Sequence, residues 1–490
     1  MSSEFEAEPP IHGRVRTFAL ISLFLALFME LLDATIVNVA LPSIEKSLGA
    51  NGGEQQWMIA AYTLALAVGL MTGARLGDIY GRKRLFIIGL VGFTLFSALC
   101  GLAQNPEMMI FSRALQGFAS AAMIPQVLSS IQVMYKPSER GSALAGFSAL
   151  AGVAAVSGPI LGAILTDANL FGWGWRSIFL VNIPVGIVAV VAAARLVPES
   201  YAPRRPKLDF AGVIVLAIGL VAVLYPLVMG REAGWPAWTF VSMAFGVLVL
   251  IGFILLQYRE QQHGGEPLVV LSLFRIRAYS AGLFTITVFF LAMNGFFLVQ
   301  TLFLQLGLGY SILRAGLTMI PFSIAVSFFA GLSAAKLVGI FGRKVLQIGP
   351  LLMAVGLVAL IFVVRANGGE TTSWHLAAGL LLGGAGMGMV VAPIGIFVLS
   401  EVPVSQAGPA SGLYNTVQQL AGAIGIATLG TVFFSRLDSL IARNPQKSQD
   451  AFVQSYELTL WVMVAILILS SLAAGFLPKQ PSYDDTSMAH

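Results

Sequence analysis

Charge is what this chain has least of. Only 10% of its 490 residues are Asp, Glu, Lys or Arg, 57% are hydrophobic, and mean hydropathy is +0.85. No ordinary soluble domain approaches that balance, so the chain reads as an integral membrane protein. Cysteine is nearly absent. The single Cys100 lies in an apolar run, which excludes a disulfide framework and a cysteine metal site. The four histidines, His12, His263, His375 and His490, are scattered and fit neither HExxH nor any other ligand spacing, so no metal is expected. No Gly-Lys pair occurs, hence no GxxxxGK[ST] phosphate loop. ATP is then not the energy source in cis, and no cofactor is expected. No segment between apolar runs is long enough to house a catalytic domain, which argues against an enzyme. The basic stretch "PRRPK" (203–207) is accounted for by loop topology and implies no nucleic-acid partner.

What the chain does have is a succession of apolar runs. A window of about 20 residues predicts fourteen spanning helices. They fall near 18–41, 56–75, 85–103, 108–133, 142–165, 177–196, 210–230, 237–257, 280–305, 313–335, 346–364, 375–399, 409–434 and 458–477. The first run exceeds twenty residues and follows a stretch with Glu4, Glu6 and Glu8 before Arg14 and Arg16. It therefore reads as an uncleaved span rather than a signal peptide. With the N-terminus inside, cytoplasmic segments hold nineteen Lys and Arg and outer segments eight. That bias places both termini in the cytoplasm of a multi-pass protein of the cytoplasmic membrane. The 399–409 loop is its weak point, since it carries Glu401 and no base.

Two carboxylates stand out. Glu30 and Asp33 lie one turn apart in the first span, within "FMELLDATIVNVALP". Asp33 is some fifteen residues into the helix, roughly 22 Å at 1.5 Å per residue, which is beyond the midplane from the cytoplasm. A carboxylate there costs several kcal/mol unless it faces a cavity or carries a proton. The pair shares one helix face and should titrate as a coupled unit, which is the physics of a proton carrier. The alternative is a structural pair bonded to backbone. Arg113 is the only base that these spans place inside the membrane, the others lying at or beyond span ends. The spans put it near the cytoplasmic end of the fourth helix, where it either snorkels or acts on the first-helix acid. Asn38, Tyr62, Gln116, Gln126, Asn294, Gln300, Asn415 and Gln418 either line a cavity of moderate polarity or join neighbouring helices. Gly384, Gly386 and Gly388 form a GxGxG run in an apolar span and read as close helix packing.

The chain also repeats itself. "GARLGDIYGRK" (73–83) and "AAKLVGIFGRK" (334–344) align without a gap at an offset of 261 residues. Spans 9 to 14 thus repeat spans 1 to 6, and spans 7 and 8 are an insertion. The expected organisation is a tail (1–17), a six-helix half (18–196), a linker with two extra helices (197–278), a second six-helix half (279–478) and a tail (479–490). This is an all-α membrane fold of six plus two plus six helices.

These residues carry a family resemblance over nearly the whole chain. It resembles the major facilitator superfamily, and within it the fourteen-span drug:H⁺ antiporter group of prokaryotic multidrug and antibiotic exporters. "LDATIVNVALP" (32–42) is similar to that group's first-helix motif, "GARLGDIYGRKR" (73–84) to its loop 2–3 motif and "RALQGFASA" (113–121) to its fourth-helix motif. "GVAAVSGPILGA" (152–163) resembles the fifth-helix antiporter motif, with Ala163 where a second Gly is usual. "WGWRSIFLVNIPVG", "FLQLGLGYSILRAG" and "GPASGLYNTVQQLAGAIG" resemble further hallmarks.

The resemblance implies a monomeric antiporter that exports small organic compounds in exchange for protons, by alternating access across the bilayer. It implies that Asp33 is the coupling acid and that Arg113 helps control its proton exchange. Glu30 departs from the family, which usually has an uncharged residue there, so it is either a second proton or cation site or a spectator. Gly73, Asp78, Gly81, Arg82 and Lys83 would form a latch between the halves; plain loop topology is the alternative. Gly152, Gly158, Pro159 and Gly162 would form the antiporter helix. The rival functions are a proton-linked importer of a metabolite and a non-transporting membrane component.

Overall fold

The computed structural model describes residues 11–135, 150, 154, 157–158, 160–162, 164–169, 172–201, 209–230, 233–263, 265, 267–403, 406–443 and 448–480. The described residues are helical, without a strand. In chain order the long helices are α1 (Gly13–Leu48), α2 (Gly52–Tyr80), α3 (Arg82–Gly101), α4 (Pro106–Met134) and α5 (Gly174–Leu196). Then come α6 (Phe210–Met229), α7 (Ala237–Gln262), α8 (Arg277–Leu302) and α9 (Ile320–Leu332). The last are α10 (Lys344–Asn367), α11 (Ser373–Val391), α12 (Ala407–Arg443) and α13 (Ser448–Ala474).

Twelve helices among the described residues are long and apolar enough to cross a membrane, not the fourteen expected. The difference falls on the fourth and fifth. Helix α4 has 29 residues, but Arg113, Gln116, Gln126 and several serines interrupt its apolar sequence. The fifth expected span, 142–165, lies largely outside the described residues. Gly152 and Pro159 are among those not described.

Local sequence sets the helix starts. At α2 the Asn51 side chain accepts from the Glu54 N–H and the Glu54 carboxylate accepts from the Asn51 N–H, a reciprocal cap. At α4, Asn105 caps the Met108 N–H and Pro106 supplies a first residue that needs no bond. Only Gly81 separates α2 from α3. Its φ of 107° is one that side chains rarely adopt, so glycine makes this turn possible.

Helices α1 to α5 pack with one another, as do α8 to α13, and α2 meets α12 along the seam between the groups. The α6–α7 hairpin leans on α2 and α12. Backbone-to-backbone approach at glycine drives several of these contacts. Cβ atoms built at Gly384 and Gly388 would strike α9, while one at Gly386 would strike α10. The GxGxG run is thus a two-sided packing surface, with alternate residues facing different helices. Outward faces are apolar, with Val241 67% and Leu248 66% exposed on α7, which suits a bilayer and not water. One polar tie fixes the hairpin to the next linker. Buried Gln257 donates to Asp209 at 2.6 Å and accepts from the Val269 N–H at 2.9 Å.

Candidate functional site

Five helices converge on one carboxylate. Asp33 of α1 is fully buried, and its Oδ2 accepts from Arg113 Nη1 of α4 at 2.5 Å. Its Oδ1 accepts from Gln116 Nε2, one turn on along α4, at 3.1 Å and from Asn182 Nδ2 of α5 at 3.4 Å. Asn182 in turn is held by Ser97 of α3 at 2.9 Å, and Ser97 donates to the Phe179 carbonyl at 2.9 Å. The guanidinium is fixed as firmly as the carboxylate. It donates to Gln116 Oε1 at 2.7 Å and from Nε to the Met58 carbonyl of α2 at 3.1 Å, and it lies 4.2 Å above the Tyr62 ring. Ion pairing, amide donors and a cation–π face together make a buried charge pair tolerable.

Glu30 joins the same constellation by another route. It is 4% exposed and accepts from the Tyr62 hydroxyl at 3.0 Å. A phenol has one proton to give, so Ser120 Oγ, 2.9 Å away, must donate to the Tyr62 oxygen. The Tyr62 side chain therefore links the two acids, its hydroxyl on Glu30 and its ring under the arginine that holds Asp33.

The placement of Arg113 corrects one expectation. It stands in the second turn of α4, on the side of the bundle where α1 ends and α2 begins. With the N-terminus inside, that is the outer side, not the cytoplasmic end. Nor does it snorkel, for it is 1% exposed. A four-helix count fixes this: α4 runs antiparallel to α1, so its first turns lie beside the second half of α1.

The polar candidates separate. Tyr62 and Gln116 belong to the Asp33 site. Gln126, 1% exposed, instead donates to the Gly73 carbonyl at 2.9 Å and ties α4 to α2. Gln300 is buried in the second group, accepting from the Tyr456 hydroxyl, whose ring stacks on Phe303 at 4.1 Å. Asn294 bonds its own helix through the Phe290 carbonyl. Asn415 and Gln418 are partly buried. The side chain of Asn38 is outside the described residues. Sequence reasoning missed Ser97, Ser120 and Asn182 as site residues. Asn182 carried a signal, an amide in an apolar helix within a quoted motif, and Ser120 lies within the quoted 113–121 motif, whereas Ser97 carried none.

Two further motifs touch this region. A Cβ at Gly158 would collide with Thr35, and one at Gly162 would sit 2.7 Å from Ile36 Cγ1. These glycines of the fifth-helix motif thus face α1 immediately after Asp33. In the 73–84 loop, Arg82 Nη2 pairs with Asp78 at 2.8 Å, and a Cβ at Gly73 would strike the Ala121 carbonyl of α4. Glu199 accepts from the Lys83 and Arg84 N–H groups at 3.0 and 3.2 Å, capping α3, and Arg82 N–H donates to the Ser200 carbonyl at 3.0 Å. All these partners lie in the first helix group or in the segment that directly follows α5. The longer reach is that of Arg75, which donates to the Pro267 carbonyl in the linker before α8.

The buried acid–arginine pair sits within a bundle of long apolar helices, and sequence comparison says what kind of bundle it is. The profile of the Major Facilitator Superfamily matches residues 23–426. The chain belongs to that superfamily. It is 45% identical over 433 residues to the probable actinorhodin transporter of Streptomyces coelicolor, covering 88% of this chain and 75% of that one. It is 31% identical over 481 residues to the puromycin resistance protein of Streptomyces alboniger, covering 97% and 94%. The tetracenomycin C resistance and export protein of Streptomyces glaucescens is 31% identical over 89% of this chain and 81% of its own. Among solved structures, a bacterial homologue of the human lysosomal transporter Spinster superposes with a TM-score of 0.66 at 16% identity, over 97% of this chain and 100% of that one. At that identity the likeness concerns the fold. This major facilitator chain is accordingly a multi-pass membrane transporter of small molecules, not an enzyme, and the three relatives just described are named for the transport of, resistance to or export of antibiotics.

Proposed function

We propose that the chain is a proton-coupled antiporter that exports small organic antibiotics or drugs, of the drug:H⁺ group, as a monomer. Fourteen spans fit this reading: the twelve apolar helices, α4, which is packed between α2 and α3, and a fifth span at 142–165. Both termini are then cytoplasmic, and residues 18–196 and 279–478 are the two halves that rock about the seam.

The Asp33–Arg113 pair carries the proposal. A proton arriving at Asp33 removes the charge that balances a guanidinium 1% exposed. An uncompensated buried charge costs about 3–5 kcal/mol, comparable to the differences that separate conformations. The bundle relaxes by rearranging α1 against α4 and α5, and the packed glycines at 158 and 162 let α1 move as a unit. Loss of the proton to the cytoplasm restores the pair and resets the cycle. Each proton entering down 100 mV supplies about 2.3 kcal/mol before any pH gradient. One or two acids support one or two protons per cycle, and hence neutral or monocationic substrates. Similarity to a probable actinorhodin transporter, a puromycin resistance protein and a tetracenomycin C resistance and export protein supports antibiotic-sized cargo.

Everted membrane vesicles with an imposed pH gradient and a pH-sensitive dye test this. Lipophilic cations and antibiotics should collapse the gradient with wild type and not with Asp33→Asn. Equal responses from both would refute the coupling role. A compound accumulated inward by whole cells would replace export with import.

A further inference from the structure

The second copy of the repeated loop motif differs from the first in a way that the transport cycle leaves unused. In the first copy three cations, Arg82, Lys83 and Arg84, stand beside two acids. Asp78 pairs with Arg82, and Glu199 caps the α3 N-terminus through the Lys83 and Arg84 N–H groups. The second copy has the same backbone plan. Arg343 N–H donates to the Lys479 carbonyl at 3.0 Å, as Arg82 N–H does to Ser200, so Lys479 stands where Ser200 does and Pro478 where Glu199 does. Gly339 replaces Asp78. Both acids are therefore gone, while Val345 replaces Arg84 and Lys479 keeps the number of cations at three.

What remains is a cleft of about 580 Å³ lined by Ile340, Phe341, Gly342, Arg343, Lys344, Gln347, Lys479 and Gln480. No carboxylate among the described residues pairs with Arg343, Lys344 or Lys479. Arg343 is oriented by a single 2.6 Å bond from Nη1 to the Leu477 carbonyl, which leaves its other donors for a ligand. The α10 N-terminus opens into the same cleft and adds its partial positive charge. Ile340 and Phe341 are 68% and 50% exposed at its edge, at the turn between two helices long and apolar enough to cross a membrane. Cations beside apolar side chains at a membrane boundary match a molecule with an anionic head and acyl tails.

We propose that this cleft binds the phosphate of an anionic phospholipid headgroup, with Arg343, Lys344 and Lys479 as its charge partners. The purified full chain should be exchanged into detergent with phosphatidylglycerol, cardiolipin or phosphatidylcholine and the retained lipid counted by native mass spectrometry. Anionic lipid should be retained over phosphatidylcholine by at least about tenfold, given three cations at one anionic site. Arg343→Gln with Lys479→Gln should lose that preference. Arg443→Gln, a base at the far end of α12, should keep it, and monodisperse elution of each variant guards against misfolding. Equal retention of both lipid classes by wild type, or a double variant that still prefers anionic lipid, would overturn the proposal. Displacement of the lipid by millimolar inorganic phosphate would make it a soluble-anion site and overturn the lipid assignment. So would lipid binding gained only by a chain ending at Gln480, since Asp484 and Asp485 would then be the natural occupants.

Discussion

Replacing Asp33 by Asn tests whether the pair with Arg113 is ionised and what it is worth. The substitution conserves shape, so packing is not the variable. Asp33 serves three donors with two oxygens: Arg113 on Oδ2, and Gln116 and Asn182 on Oδ1. An asparagine offers one oxygen. If it faces Arg113, its NH₂ meets the amide NH₂ groups of Gln116 and Asn182, donor against donor. Gln116 cannot flip without surrendering its 2.7 Å bond from Arg113. The guanidinium also keeps its charge with 2% of its side chain exposed, so solvent screening offers little relief. Losing one member of a buried ion pair costs about 3–5 kcal/mol. Arg113→Met should cost a similar amount by orphaning Asp33. The double variant removes both charges and should fall well short of the sum, with a coupling of about 2 kcal/mol or more. Equilibrium unfolding by titrating SDS into dodecylmaltoside micelles measures all three. Costs that add to within about 0.5 kcal/mol would refute an ionised pair. Restored stability without restored proton exchange would separate the structural role of the pair from its role in coupling.

Other variants probe the surroundings. Gly162→Ala places a methyl 2.7 Å from Ile36 Cγ1 and should destabilise by about 1–3 kcal/mol while slowing transport; in combination with Ile36→Ala, which removes that atom, the total cost should fall short of the sum of the two single costs. Tyr62→Phe removes the hydroxyl between Glu30 and Ser120 but keeps the ring under Arg113, so it should cost about 1–3 kcal/mol and leave the Asp33 pair intact. Tyr62→Leu should cost more, by the cation–π contribution, and a smaller loss than for Phe would refute that contact. Glu199→Ala strips the α3 N-terminus of its two bonds and should lower stability by about 1 kcal/mol, read by the same titration.

Much of this protein was legible before folding. Hydropathy alone reveals the membrane, because a helix that must satisfy its backbone in lipid has to be long and apolar. The 261-residue offset predicts an internal duplication, and lone charges in apolar runs single out Asp33, Glu30 and Arg113, because such groups are expensive in lipid. A window of about 20 residues reads the fourth helix as a span, although Arg113, Gln116 and Gln126 weaken its apolar signature. Partnership was not legible. Asp33 is 80 residues from Arg113 and 149 from Asn182, and no periodicity links residues on different helices. Gln116 and Gln126 look alike in sequence, ten residues apart on one helix. Only the neighbours of each face give Gln116 to the carboxylate and Gln126 to the Gly73 carbonyl. The two loop motifs read as copies, and the change of Asp78 to Gly339 is visible within them, but the second acid that distinguishes them, Glu199, is over a hundred residues from the loop it caps. Composition and local pattern thus determined that the chain spans a membrane and which charges it buries, since both are costs borne residue by residue. Which charges pair, and which stay open to a ligand, was decided by tertiary packing, since hydrogen bonds and ion pairs depend on distances that the order of residues does not contain.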